Sequence, residues 1–262
     1  MTNPYEKAAS MERDNSMTRR FLADAGIGPG MRVVEIGCGG GEVTQLLAEL
    51  VGQSGRIVAI DREPGALAIA RQRMRERHME HVQFVQCDLT APAAALTAYA
   101  PGSFDALAGR RVLMYLPQPA ATLRHLANWL RSGACIVFEE TDTTLVPGRI
   151  SPMPAHDRAA TWMRSMLLAE GANVHMGFAL PATLVQAGFA FERIRAEAVI
   201  QGQGTQFPLS ALLKLMTPRI VLHGVATESE IEAAAQEIDA EANDPTVVYV
   251  SAVAFCATAR MP

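Results

Sequence analysis

The sequence predicts an α/β protein: a doubly wound, mostly parallel sheet of seven strands with an antiparallel last strand, to which helical lid insertions are added. Three observations predict it. Short apolar runs alternate with amphipathic segments without a break from Met31 to Glu140, the pattern of repeated strand–helix–strand units with right-handed crossovers. Three successive runs carry an acid at their carboxyl ends, Glu35, Asp61 and Asp88, which in an open sheet of this kind line one crevice. The first run passes through Gly37-Cys38-Gly39-Gly40-Gly41 into Val43, Leu46, Leu47 and Leu50, a buried strand turning sharply into a helix.

Each element follows from local signals. Residues 16–26 read as a helix closed by Gly26, and Pro29-Gly30 turns the chain into the strand at Val33–Ile36. Ser54-Gly55 leads to the strand Arg56–Asp61, and a helix starts near Glu63-Pro64. The run Val82–Leu89 is the third strand, followed by a helix from Pro92 to Tyr99. A fourth strand is expected over Ser103–Pro117, a helix over Pro119–Arg131, and a fifth strand over Ala134–Glu140. The helix Leu180–Ala187 precedes a sixth strand, Phe189–Ile200, and Thr246–Ala259, rich in Val, Tyr and Phe, closes the sheet.

Two insertions exceed this minimal plan. Residues 143–175 place Ala159, Trp162, Met163, Met166 and Leu167 at helical spacing, a stripe that suits core packing or an apolar lining. Residues 202–245 combine an apolar helix broken at Pro218 with an acidic helix, Glu228–Ala242, and are expected to form a lid or a homodimer surface. The chain is read as one domain over 1–262, with 1–30 as an N-terminal helical cover.

Composition narrows the function. A net charge of −4 and the lack of any Lys/Arg-rich run argue against a nucleic-acid partner and for a small molecule. The polar N-terminus lacks the apolar core of a signal peptide, and charge or proline breaks the apolar windows, so no membrane association and a cytoplasmic location are expected. Cys38, Cys87, Cys135 and Cys256 lie far apart without ligand spacing, so neither a metal site nor a disulfide is expected.

The glycine turn is the expected ligand site. A dinucleotide fingerprint needs a third small residue three positions after its second glycine. Glu42 stands there, or Thr44 if counting starts at Gly39 and Gly41. A carboxylate in the first helical turn repels a pyrophosphate and tolerates a zwitterionic or cationic ligand.

Glu35, Gly37, Gly39 and Gly41 match the acid-x-Gly-x-Gly-x-Gly motif, and in this the chain resembles the class I S-adenosylmethionine (SAM) dependent methyltransferases. The resemblance covers Met31 to about Glu140 and, loosely, the last strand. It implies SAM as cofactor, S-adenosylhomocysteine (SAH) as product, and a cofactor site made of Glu35, Gly37, Cys38, Gly39, Gly41, Asp61, Arg62, Asp88, Leu89, Arg110 and Tyr115. Asp61, about 20 residues past the turn, takes the ribose hydroxyls, with a helix N-cap as the competing role. Asp88 accepts from the adenine amine while Leu89 packs on the ring, or Asp88 caps the following helix. Arg110 forks onto the methionine carboxylate or pairs with a neighbouring acid.

Leading helices and insertions lie over the active site in such enzymes, which brings Tyr5, Arg19 and Arg20 into consideration beside a solvated-face reading. Methyl transfer is a direct displacement, so holding the nucleophile in line is the main task. A hydroxyl or amine acceptor also needs a base, for which His156, His175 and Glu140 are the candidates, with His125 behind them. Of Glu139 and Glu140, one is expected to meet substrate. The reading is a methyltransferase for a small organic acceptor; the alternatives are a non-catalytic SAM-binding module and a nicotinamide-dependent oxidoreductase.

Overall fold

The computed structural model describes residues 15–90, 99–145, 148–203, 205, 208–243 and 247–262. Tyr5 and most of the helix expected over 92–99 lie outside them. The described residues form two compact units: a sheet unit of residues 15–140, 176–195 and 255–262, and a helical unit of residues 141–175 and 196–254.

In the sheet unit, helix α1 (Ser16–Asp24) precedes strand β1 (Arg32–Ile36), helix α2 (Glu42–Val51), strand β2 (Arg56–Asp61), helix α3 (Pro64–Glu76) and strand β3 (Val82–Gln86). Strand β4 (Phe104–Arg110), helix α4 (Pro119–Leu126) and strand β5 (Leu130–Thr141) follow. Helix α6 (Met176–Gln186) belongs to the same unit. Strands β6 (Ala190–Gly202) and β7 (Val248–Arg260) complete a seven-stranded sheet in the order β3-β2-β1-β4-β5-β7-β6. The pairs β2/β3, β1/β2, β1/β4 and β4/β5 are parallel, and the C-terminal strands are antiparallel.

Strand β1 is buried from Val33 to Ile36 and β5 from Ala134 to Glu140. Both are near-continuous apolar runs, as expected of strands covered on two faces. Sheet order therefore brings the carboxyl ends of β3, β2, β1, β4 and β5 side by side, although their residues are spread from 36 to 141.

The fourth strand ends at Arg110 rather than at Pro117. Arg111 adopts φ 54°, which an L-residue does not hold within a strand, and the buried Glu140 carboxylate captures the next two amides. Val112 N–H and Leu113 N–H both donate to its Oε1, at 2.9 and 2.7 Å, which bends the chain into a single 3₁₀ turn at Leu113–Tyr115. The expected helix over 119–131 stops being α-helical after Leu126, passes through a 3₁₀ turn at Ala127–Trp129, and leaves β5 starting at Leu130. Trp129 is held there by an edge contact with Tyr99 and a tilted one with Phe104.

The helical unit holds helices α5 (Pro154–Ala169), α7 (Leu209–Leu222) and α8 (Glu228–Ala242), which pack on one another. The apolar stripe of 143–175 becomes the buried face of α5, with Ala159, Met166 and Leu167 inside. Helix α7 is not broken at Pro218. The carbonyl that this proline leaves without an amide is that of Lys214, and both residues are exposed, so the helix continues where solvent can reach the freed carbonyl. Helix α8 starts with a capping box in which Glu230 N–H donates to Thr227 Oγ1 and Thr227 N–H donates to Glu230. No helix among the described residues is long and apolar enough to cross a membrane.

Candidate active site

The glycine turn joins β1 to α2 with Gly37, Gly39 and Gly41 at φ 66°, 50° and 79°, all in the left-handed region that side chains resist. Their surroundings differ. A Cβ on Gly37 would overlap the Val112 side chain, and one on Gly41 would press on Ala70 at 3.0 Å, whereas one on Gly39 would meet nothing within 4 Å. Gly37 and Gly41 thus let the turn pack; Gly39 fronts open space where a ligand can approach the main chain. Gly41 is the N-cap of α2, so the first amides of that helix face the same opening. Cys38 N–H donates to the Ile60 carbonyl at 3.0 Å, and burial raises the Cys38 thiol pKa well above its ordinary value, keeping it neutral.

The three strand-end acids do different work. Glu35 is 1% exposed, and Thr44 Oγ1 donates to its Oε2 at 2.6 Å, joining β1 to α2 beneath the turn. Burial pushes the Glu35 pKa up to about 7, against the lowering effects of Thr44 and Arg110. Asp61 Oδ2 accepts from Gly39 N–H at 2.7 Å and Oδ1 from Glu63 N–H at 3.0 Å. It steadies the turn and the approach to α3, while the N-cap position itself falls to Glu63. Arg62 is largely exposed and pairs with Glu63 at 3.3 Å. Asp88 is exposed, with its Oδ1 accepting from Thr90 N–H and Oγ1 at 2.8 and 2.7 Å, and these bonds hold its pKa below the usual carboxylate range. The buried Leu89 and Thr90 border a cavity of about 380 Å³ whose other walls include Pro117, Gln118, Thr122 and His125.

Arg110, 14% exposed in its side chain, donates from Nη2 to Glu42 Oε2 at 2.6 Å. Its Nη1 donates to Asn15 Oδ1 at 2.8 Å and Thr18 Oγ1 at 3.1 Å. The guanidinium thus meets the first acid of α2 and the start of α1, the ion-pair alternative open from the sequence. The Glu42 partnership and the contact of Gly37 with Val112 were missed there, because each joins segments far apart in the chain. Tyr115, 38% exposed, ends the turn that Glu140 anchors, and Met114 is buried beside it.

The base candidates fall in both units and have different surroundings. Glu140 is fully buried, its Oε1 is committed to the two backbone amides, and burial pushes its pKa up to about 7. His156 and His175 belong to the helical unit. His156 is 3% exposed, donates from Nδ1 to Glu241 Oε2 at 2.7 Å and has Nε2 at 2.9 Å from the Tyr249 hydroxyl. Glu241 also accepts the Ala155 and His156 amides at the start of α5, at 2.8 and 3.2 Å. The Tyr249 phenol is pushed up to about 12 by burial and then by Glu241. With both ring nitrogens engaged, His156 works as a clamp between α5, α8 and β7. His175 is mostly exposed and lies 3.5 Å from Asp142. No cluster suited to a metal ion occurs among the described residues, and all four cysteines are free and buried.

A glycine turn with an open centre, three acids at or just beyond adjacent strand ends and a carboxylate in the first turn of α2 meet at the carboxyl edge of a Rossmann-like sheet. The chain belongs to the class I SAM-dependent methyltransferases: a family model described as a methyltransferase domain matches residues 27–175. A ubiquinone biosynthesis O-methyltransferase of Xanthomonas campestris pv. campestris is 30% identical over 157 residues, 60% of this chain and 59% of that protein. A malonyl-[acyl-carrier protein] O-methyltransferase of Paenibacillus sp. is 33% identical over 107 residues, 41% and 37% of the two chains. The chain thus spans about three fifths or less of the length of these relatives. A SAM-dependent methyltransferase from Aquifex aeolicus has the same fold, with a TM-score of 0.59 at 13% identity over 100% of both chains.

Proposed function

We propose that this protein transfers a methyl group from SAM to an oxygen-bearing small organic acceptor by direct displacement. The observation that carries the reading is the order of groups across the strand ends. Asp88 follows β3, Asp61 ends β2, the glycine turn follows β1 and Arg110 ends β4, an order that suits acceptors for adenine and ribose followed by a polar edge for an amino-acid portion, the order in which SAM carries those parts. SAM supplies an activated methyl group on a sulfonium. The chain's part is to bind and orient: Asp61 has lone pairs left for the ribose hydroxyls, and Gly39 leaves room for the ligand to approach the main chain. Glu42 disfavours a pyrophosphate, which argues against a nicotinamide cofactor.

The relatives named for O-methyl transfer support an oxygen acceptor. The net charge of −4 supports a small molecule over a nucleic acid. The decisive experiment incubates the protein with SAM labelled in its methyl group and an extract of small metabolites. A labelled product that depends on the protein is expected. Tight SAH binding with no labelled product would replace this reading by that of a SAM-binding module.

A further inference from the structure

Resting on the SAM reading, we infer that Glu139 is the carboxylate that meets the acceptor. In the parallel register Arg110 pairs with Glu139 across β4 and β5, two residues beyond the pair Ala108 and Val137, while Glu35 pairs with Ala108 across β1 and β4. Paired residues of a parallel sheet share a face and alternate residues return to it, so Glu35, Arg110 and Glu139 stand on one face and Glu140 on the other. Adjacent strands lie about 4.8 Å apart. Glu139 is therefore the next group beyond Arg110 in the row that begins with Asp88, on the side away from the adenosine acids.

Arg111 lies close enough to Glu139 to interact with its charge, but no hydrogen bond among the described residues takes up its Oε2. Glu139 is 5% exposed, and its Oε2 is buried with no hydrogen-bond partner among the described residues. A carboxylate in such a place is costly unless a donor or a cation completes it. Glu140 Oε2 is likewise buried without a hydrogen-bond partner among the described residues, but its Oε1 already takes two backbone amides and shapes the bend after β4. The acceptor class that fits Glu139 is one whose nucleophile still carries its proton, a hydroxyl rather than a carboxylate. As that oxygen takes the methyl group, the O–H and S–CH3 bonds break and the O–CH3 bond forms. The sulfonium becomes a neutral thioether, and the proton passes to Glu139 Oε2.

Sinefungin tests this without a known acceptor, because it carries an ammonium where SAM carries its transferable methyl group. Titration calorimetry with SAH and with sinefungin should show the wild type preferring sinefungin by at least tenfold. Glu139→Gln should reduce that preference to about twofold or less and leave the SAH affinity unchanged. If Glu139→Gln does not fold, Glu139→Asp carries the test, with the preference cut at least threefold. A preference absent from the wild type, or retained in the variant, overturns the inference. Failure of the wild type to bind either ligand would instead overturn the SAM reading.

Discussion

At the scale of single residues, the glycine turn separates into positions that serve packing and one, Gly39, that fronts open space. Gly39→Val places a side chain in open space at φ 50°. It should abolish SAH binding while costing roughly 1–2 kcal/mol in stability from left-handed strain. Gly37→Val adds a collision with Val112 to the same strain and should cost roughly 3 kcal/mol or more. Urea unfolding of the two variants, with SAH titration of the first, checks both; SAH bound normally by Gly39→Val would show that the turn does not touch the ligand.

Glu35 and Glu140 make a second prediction at this scale. Both have folded-state pKa values near 7, raised from 4.5 chiefly by burial, so between about pH 4.5 and 7 the folded state binds more protons than the unfolded chain. The contribution of each to stability therefore declines as pH rises through that window, by an order-of-magnitude 3 kcal/mol per group. Glu140→Gln keeps an oxygen for the Val112 and Leu113 amides and cannot ionise. Its stability relative to the wild type, from urea midpoints at pH 5 and pH 7, should be more favourable at pH 7 by roughly 1–3 kcal/mol. An unchanged difference would mean that Glu140 titrates as an ordinary exposed acid.

At the scale of elements, Arg110 is the connection between α1 and α2. Three of its hydrogen bonds reach Asn15, Thr18 and Glu42, and α1 is further held by Arg195, which pairs with Asp24 at 2.7 Å and stacks over Phe21. Arg110→Met removes the first set and keeps the second. Amide exchange in Ser16–Asp24 should then accelerate about tenfold, corresponding to roughly 1–2 kcal/mol of local opening, while β1 and β2 remain protected. Uniform acceleration across the sheet would show that Arg110 supports the core rather than this junction.

The helical unit offers a parallel case. His156→Ala leaves a cavity and strands part of the Glu241 carboxylate at the start of α5, and should cost roughly 2–4 kcal/mol. SAH affinity should stay at the wild-type value, since both ring nitrogens of His156 are spent on Glu241 and Tyr249. A folded variant with weakened SAH binding would return His156 to the active site.

At the scale of the whole molecule, what was legible in the sequence was what is local. The β1–glycine–α2 passage, the acids at 35, 61 and 88, and the boundaries of β2 and α8 are written in contiguous residues, so spacing alone located them. The bend after β4 was not legible, because Glu140 causes it from the neighbouring strand and Arg111 shows no sign in its type of a positive φ. Likewise, Arg110 draws its partners from α1 and α2, and His156 draws its own from α8 and β7. Which of the two glutamates ending β5 is spent on the backbone could be decided only once the strands were in register.

The central claim is that the acids at the ends of β2 and β3 and the turn after β1 hold one adenosyl donor. Titration of the wild type and Asp61→Ala with SAH addresses it most directly. Saturable one-to-one binding by the wild type is expected, with a loss of roughly 1–3 kcal/mol, about five- to 150-fold in Kd, in the variant. Equal affinity in the two proteins would contradict it.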